Sequence, residues 1–136
     1  MSERVVVGGC RCGADRIRAC GQPTDVIYCH CSDCRRSSGA PVSLFVGYRT
    51  EQVDNERGIP KIYESSPGVS RSFCGDCGTP LSYQDERLPG EIYVPMRVFD
   101  LPEAFEPEMH DWVSQRIGWL DIRDGLPRYQ RSSKPR

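Results

Sequence analysis

The chain has 136 residues and a formal net charge of −1, a length that suits one domain and a balance that favours neither nucleic acid nor a membrane surface as partner. No apolar run approaches the roughly 20 residues of a membrane span. Thirteen glycines and 11 prolines favour turns and short strands over long helices, and eight cysteines need a chemical explanation.

In chain order, Val5-Val6-Val7 runs into Gly8-Gly9 and a first cysteine pair, Cys10 and Cys12. ADRIRACG alternates at Ile17 and Ala19, the pattern of a hairpin's return strand. TDVIYC reads as a strand delivering Cys29. SDCRRSS, residues 32–38, suits one helical turn with Ser32 as its cap and Gly39-Ala40-Pro41 as its stop. PVSLFVGY is the strongest strand, with Val42, Leu44 and Val46 on one face and Phe45 on the other. Weaker strands are expected at KIYE, VSRSF, PLSYQ and EIYVPMRV, where Pro95 predicts an edge strand or a bent one. DLPEAFEPEMHDWV carries too much proline for a stable helix, and the closing RSSKPR reads as frayed. The expectation is a single, mainly β domain of short antiparallel strands over residues 1–131, with a flexible tail at 132–136.

Seven of the eight cysteines fall in tight C-x-C, C-x-C-x-x-C and C-x-x-C groups. Cysteines so close pair poorly with each other but converge well on a metal ion. MSERVVVGG has no long apolar core of a secretory signal, so the expectation is reduced thiols in a cytoplasm. Cys74-Gly75-Asp76-Cys77-Gly78 has the form of a zinc knuckle, whose glycines allow a tight curl around one ion. Cys10 and Cys12 lie on another glycine-rich turn. Two such pairs make a closed, structural Cys₄ zinc site.

Cys29, Cys31 and Cys34 remain, and three protein ligands are the complement of an open zinc site. Two other completions compete: Cys20 as a fourth ligand, or His30. His30 sits between two ligand cysteines, so in an extended segment its side chain points away from theirs, which suits a supporting or exposed role. Three thiolates leave a Zn²⁺ unit near −1, a weak Lewis acid better suited to binding a fourth thiolate than to splitting water. Arg35 and Arg36 follow at once, and Arg35 is the better candidate to offset that charge or contact a substrate. His110, one of two histidines, is a candidate proton carrier or zinc contact, against the plainer reading of a hydrogen-bonded structural histidine. Trp112 and Trp119 suit packing at a core or pocket edge, Tyr28 suits shielding of Cys29, and DIRDGLPRY reads as a turn.

Across GGCRCGADRIRACG, VIYCHCSDCRRSSGAP, RSFCGDCGTPLSY and MHDWVSQRIGWLDIRDGLPRYQ the chain closely resembles the glutathione-dependent formaldehyde-activating enzyme family, which includes centromere protein V. The resemblance implies an Mss4-like, β-tent fold of several small antiparallel sheets and two zinc ions per chain. The structural ion would sit on Cys10, Cys12, Cys74 and Cys77, and the catalytic ion on Cys29, Cys31 and Cys34; Cys20 matches no ligand. The implied reaction is that of a carbon–sulfur lyase, in which glutathione adds to formaldehyde to give S-hydroxymethylglutathione, in either direction. The implied partners are a small thiol, glutathione or a related one, and a carbonyl compound. The contrasting expectation is a zinc-stapled binding module without catalysis, which would want a basic tail longer than RSSKPR.

Overall fold

The computed structural model describes residues 4–134; positions 1–3 of the expected domain and 135–136 of the expected tail lie outside the described residues. Ten strands and one short helix follow in order: β1 (Val5–Gly9), β2 (Arg16–Cys20), β3 (Asp25–Cys29), α1 (Ser32–Ser38), β4 (Ser43–Arg49), β5 (Val53–Arg57), β6 (Lys61–Ser66), β7 (Val69–Phe73), β8 (Pro80–Asp85), β9 (Glu91–Pro95) and β10 (Met109–Asp111). They form a three-stranded sheet, β1-β2-β5, and a seven-stranded sheet, β10-β3-β4-β9-β8-β7-β6. Neighbours are antiparallel except β10, which runs parallel to β3. The mainly β expectation therefore holds. No described helix is long and apolar enough to cross a membrane.

The core explains why PVSLFVGY is the clearest strand. Residues Phe45 to Tyr48 of β4 are all buried, because the strand is covered on both faces. Val46 and Tyr48 pack with Ile17, Ala19, Val94, Val98 and Phe99. Phe45 packs on the other side with Ile27, Val69, Tyr83 and Tyr93. Two-sided burial favours a continuous apolar run over alternation. The small sheet closes tightly onto the segment after β9, where Gly8 bridges Phe99. A Cβ on Gly8 would overlap the Val98 carbonyl, so only glycine fits that approach.

Three local expectations are corrected. The helix makes about two turns rather than one, and its N-cap is Cys31, not Ser32: the Cys31 sulfur accepts the Cys34 N–H at 3.2 Å. Pro95 does not mark an edge strand. β9 lies between β4 and β8, and Pro95 is its last residue, followed by a 3₁₀ turn at Met96–Val98, so the missing N–H falls where the strand ends. DLPEAFEPEMHDWV holds a 3₁₀ turn at Pro102–Ala104 and no α-helix, as its prolines suggest; it also contributes β10, and VDNER, which carries no strand signal, forms β5.

Candidate functional site

The turn between β1 and β2 presents Cys10 and Cys12, and the turn between β7 and β8 presents Cys74 and Cys77. Their four sulfurs all lie within 4.8 Å of one another, with Cys10–Cys12 at 3.6 Å and Cys12–Cys74 at 3.8 Å. A tetrahedron of sulfurs about 2.3 Å from a central zinc has edges of about 3.8 Å, so the donor set fits that ion. Backbone amides already point at the sulfurs: Asp15 N–H donates to Cys10 at 3.2 Å, and Asp76 N–H to Cys74 at 3.4 Å. Gly78, at φ +79°, supplies the left-handed residue that closes the knuckle.

Cys29 ends β3, Cys31 caps α1 and Cys34 lies inside α1. Their sulfurs also lie within 4.8 Å of one another, with Cys29–Cys31 at 3.5 Å. Among the described residues no fourth metal-ligating atom joins this trio. Cys20 ends β2 in the other sheet, and His30 faces elsewhere. Hydrogen bonding from the Cys29 and Cys34 thiols draws the pKa of Cys31 far down, and the same pairing pushes Cys29 well up. One sulfur of the trio is thus the favoured anion, and the other two lose protons when a cation takes their place.

The trio opens on a cavity of about 340 Å³. Its apolar lining comes from Ile27, Phe45, Val69, Tyr83, Tyr93 and Trp112, and its charged lining from Asp33, Arg87, Asp111 and Lys134. Arg71 on β7, which the sequence reading did not single out, is the cation beside the sulfurs. It is 6% exposed and its Nη2 lies 2.8 Å from Asp33 Oδ2 and 3.8 Å from Cys34 Sγ. Its guanidinium also stands 4.8 Å from the centre of the Tyr83 ring. The available signal was phase: Arg71 sits two residues from buried Val69, on the inward face of the strand. Arg35 is half-buried, its Nε has no hydrogen-bond partner, and it does not line the cavity; Arg36 is exposed.

His30 and His110 are both fully buried, and they meet. His30 Nε2 lies 2.9 Å from His110 Nδ1, and His110 Nε2 lies 2.9 Å from Asp124 Oδ2. If His110 donates to the carboxylate, His30 Nε2–H donates to His110 and His30 Nδ1 keeps only a lone pair, in accord with its lack of a partner. Burial pushes His30 down to about 4, so it is neutral near pH 7. Tyr28 stacks on His110 at 4.6 Å rather than covering the cysteines alone. His110 is therefore engaged on both ring nitrogens, through the DIRDGLPRY turn that supplies Asp124.

The C-terminal segment runs beside β10 and parallel to it. His110 N–H donates to Pro127 O, Tyr129 N–H to His110 O and Trp112 N–H to Arg131 O, at 2.8 to 3.0 Å. Ser133 donates to Asp111 at 3.0 Å, and Lys134 Nζ lies 3.1 Å from Asp25 Oδ2 and 3.6 Å from Glu91 Oε1. Trp112 has φ +59°, the only positive φ at a non-glycine residue among those described. Trp119 is 76% exposed and takes no part in the cavity.

A family model described as glutathione-dependent formaldehyde-activating enzyme matches residues 5–115. An uncharacterized lyase of Schizosaccharomyces pombe is 32% identical over 76 residues, covering 56% of this chain and 55% of that protein. The chain thus spans about half the length of the curated relative it matches. The crystal structure of a Rhodobacter sphaeroides protein superposes with a TM-score of 0.58 at 21% identity, over 90% of this chain and 98% of that one, a likeness of fold.

Proposed function

The chain belongs to the glutathione-dependent formaldehyde-activating enzyme family, and from that premise we propose that it is a zinc-dependent carbon–sulfur lyase acting on the adduct of a small thiol and a carbonyl compound. The lyase name of the yeast relative supports the reaction class. The observation that carries the reading is the trio Cys29, Cys31 and Cys34: three convergent sulfurs, with no fourth ligand atom among the described residues, opening on a cavity.

A zinc ion on this trio supplies a position that favours the thiolate form of an incoming thiol at neutral pH. The chain's own residues do the rest. Arg71 offsets part of the negative charge that three thiolates and a substrate sulfur place at one point. The Cys34 N–H holds the Cys31 sulfur in place. The apolar side chains around the cavity exclude water from the reacting carbon, which strengthens these electrostatic contacts. In the adding direction, the substrate sulfur bonds to the carbonyl carbon and the carbonyl oxygen takes up a proton, matching the one the thiol gave up. In the cleaving direction both changes reverse. In this reading Cys10, Cys12, Cys74 and Cys77 hold a second zinc that ties the two sheets and takes no part in the reaction, and Arg35 and His110, which do not line the cavity, touch no reacting atom.

Zinc content, thiol binding and turnover of hydroxymethyl-thiol adducts in native protein and in Cys31→Ala test this reading. Two zinc ions in the native protein, against one zinc, a retained fold and no thiol binding in the variant, are the expected result. Unchanged thiol binding in Cys31→Ala, or a second site filled by four protein sulfurs including Cys20, would overturn it.

A further inference from the structure

We propose that the thiol taken by this protein carries an aromatic or branched aliphatic body, and that Trp112 selects it; the proposal rests on the reading of Cys29, Cys31 and Cys34 as an open thiol-binding centre. Three independent observations converge on the same cavity.

The first is backbone conformation. Trp112 occupies the left-handed region, φ +59° and ψ +40°, which costs a side-chain-bearing residue energy that glycine does not spend. The turn itself asks for glycine: eight glycines of this chain take such angles, and Trp112 alone among the described non-glycine residues joins them. What tryptophan adds is its indole, which packs against the cluster containing Cys29 and Cys34 and lines the cavity beside them. Strain of this kind gathers at sites where a side chain's position matters more than local stability.

The second is the chemistry of the walls. Phe45, Tyr83 and Tyr93 stand ring to ring, with centroids 6.1 Å apart in each neighbouring pair. The Tyr83 hydroxyl donates to Asp85 at 3.0 Å and that of Tyr93 to Glu91 at 2.8 Å, which uses the polar ends of both residues within the protein. Together with Ile27 and Val69 this makes one continuous apolar wall of the cavity. At about 340 Å³ the cavity offers roughly ten times the ~30 Å³ of one water molecule, far more than a two-heavy-atom carbonyl alone requires.

The third is charge. The two cations that line the cavity are each matched within the chain: Arg87 makes paired contacts to Asp85 at 3.0 and 2.8 Å, and Lys134 bridges Asp25 and Glu91. Asp33 and Asp111 line it too. A thiol bearing two carboxylates, such as the glutathione tripeptide, would have to displace one of these internal pairs to gain a counter-charge. An uncharged apolar body needs no counter-charge and can lie along the apolar wall with both internal pairs intact.

Calorimetric titration of the zinc-loaded full chain with phenylmethanethiol, 2-mercaptoethanol and glutathione tests the proposal. Phenylmethanethiol is expected to bind at least about tenfold more tightly than either of the others. Trp112→Ala should cut that advantage to about threefold or less while leaving 2-mercaptoethanol within about twofold of its native affinity. Trp112→Gly, which takes the turn without strain, should melt above Trp112→Ala, lose the same preference and leave 2-mercaptoethanol within about twofold, a split between thiols that a merely structural indole would not give. Glutathione binding as tightly as phenylmethanethiol, or variants that weaken all three thiols equally, would overturn the proposal and leave the open centre standing. Binding of no thiol at all would remove the open centre itself, and the proposal with it.

Discussion

Arg71→Met should weaken metal binding at Cys29, Cys31 and Cys34 and leave Cys10, Cys12, Cys74 and Cys77 unaffected. The guanidinium Nη2 lies 3.8 Å from Cys34 Sγ. At that separation unit charges attract by about 1 kcal/mol in water and about 4 kcal/mol at the effective dielectric near 20 that suits protein sites. The Arg71 side chain is 7% exposed, which favours the upper part of this range, and its removal also unmasks Asp33, adding a negative charge that is 54% exposed and therefore screened. The expected loss is about 5-fold to about 1,000-fold in zinc affinity at one site. Methionine keeps most of the aliphatic stem and removes the guanidinium with its contact to the Tyr83 ring, so the change is mainly one of charge. Arg71→Lys keeps the charge but cannot span Asp33, Ser65 and the Tyr83 ring at once, and should lose less. Competition with chelators of graded strength gives two release steps, the four-cysteine site serving as internal control. Steps that shift together, or a lysine variant as weak as the methionine one, would refute the electrostatic account.

Three further outcomes follow from the same geometry. His30 titrates at about 4 in the folded chain, held down by burial, against an ordinary value near 6.5, so the unfolded chain takes up the proton first and stability present above pH ~6.5 drains away between pH ~6.5 and ~4. His30→Gln should fall less steeply over that window in urea unfolding, and parallel slopes would count against the assignment. Gly8→Ala places a methyl group against backbone atoms of Val98 and Phe99 that cannot rotate away, and should cost about 1–3 kcal/mol or more in denaturant titration; an unchanged midpoint would contradict the close approach. Cys12→Ser should lower the unfolding midpoint much further than Cys31→Ala, and the reverse order would exchange the roles given to the two cysteine groups.

The parts of this chain that read well from sequence are those whose cause is local. β2 shows its alternation because one face is buried, and the cysteine groups stand out because sulfurs that can share one ion lie a few residues apart on short turns. β5 and β10 escaped notice for the opposite reason. VDNER is an outer strand with four exposed residues and so carries no apolar phase, and Met109–Asp111 is three residues long and paired to a strand far away in the sequence. Residue preference favours Ser32 as the cap, yet the side chain in the capping position is the Cys31 sulfur, a ligand candidate used twice. Arg71 and the His30–His110–Asp124 chain depend on segments separated by 37 and 80 residues, and no short-range pattern carries such a contact.

The two cysteine groups also differ in what their closure does to the chain. Cys12 and Cys74 are separated by 62 residues and join a turn of the small sheet to a turn of the large one. Cys29 and Cys34 are five residues apart on one continuous strand-to-helix passage. Loop-closure entropy grows as about (3/2)RT ln n, so clamping the long loop removes roughly 2 kcal/mol more freedom from the unfolded chain than clamping the short one, before any contact energy is counted. An ion on the long clamp would therefore serve folding, as the proposed function has it. The short one adds little to stability, and its geometry is already supported by the β3–β4 pairing, by the Ser43 hydroxyl on Cys34 O at 3.1 Å and by Arg71. A trio held by its surroundings rather than by its ion can exchange a ligand without loosening the fold, which is the property a thiol-binding centre needs.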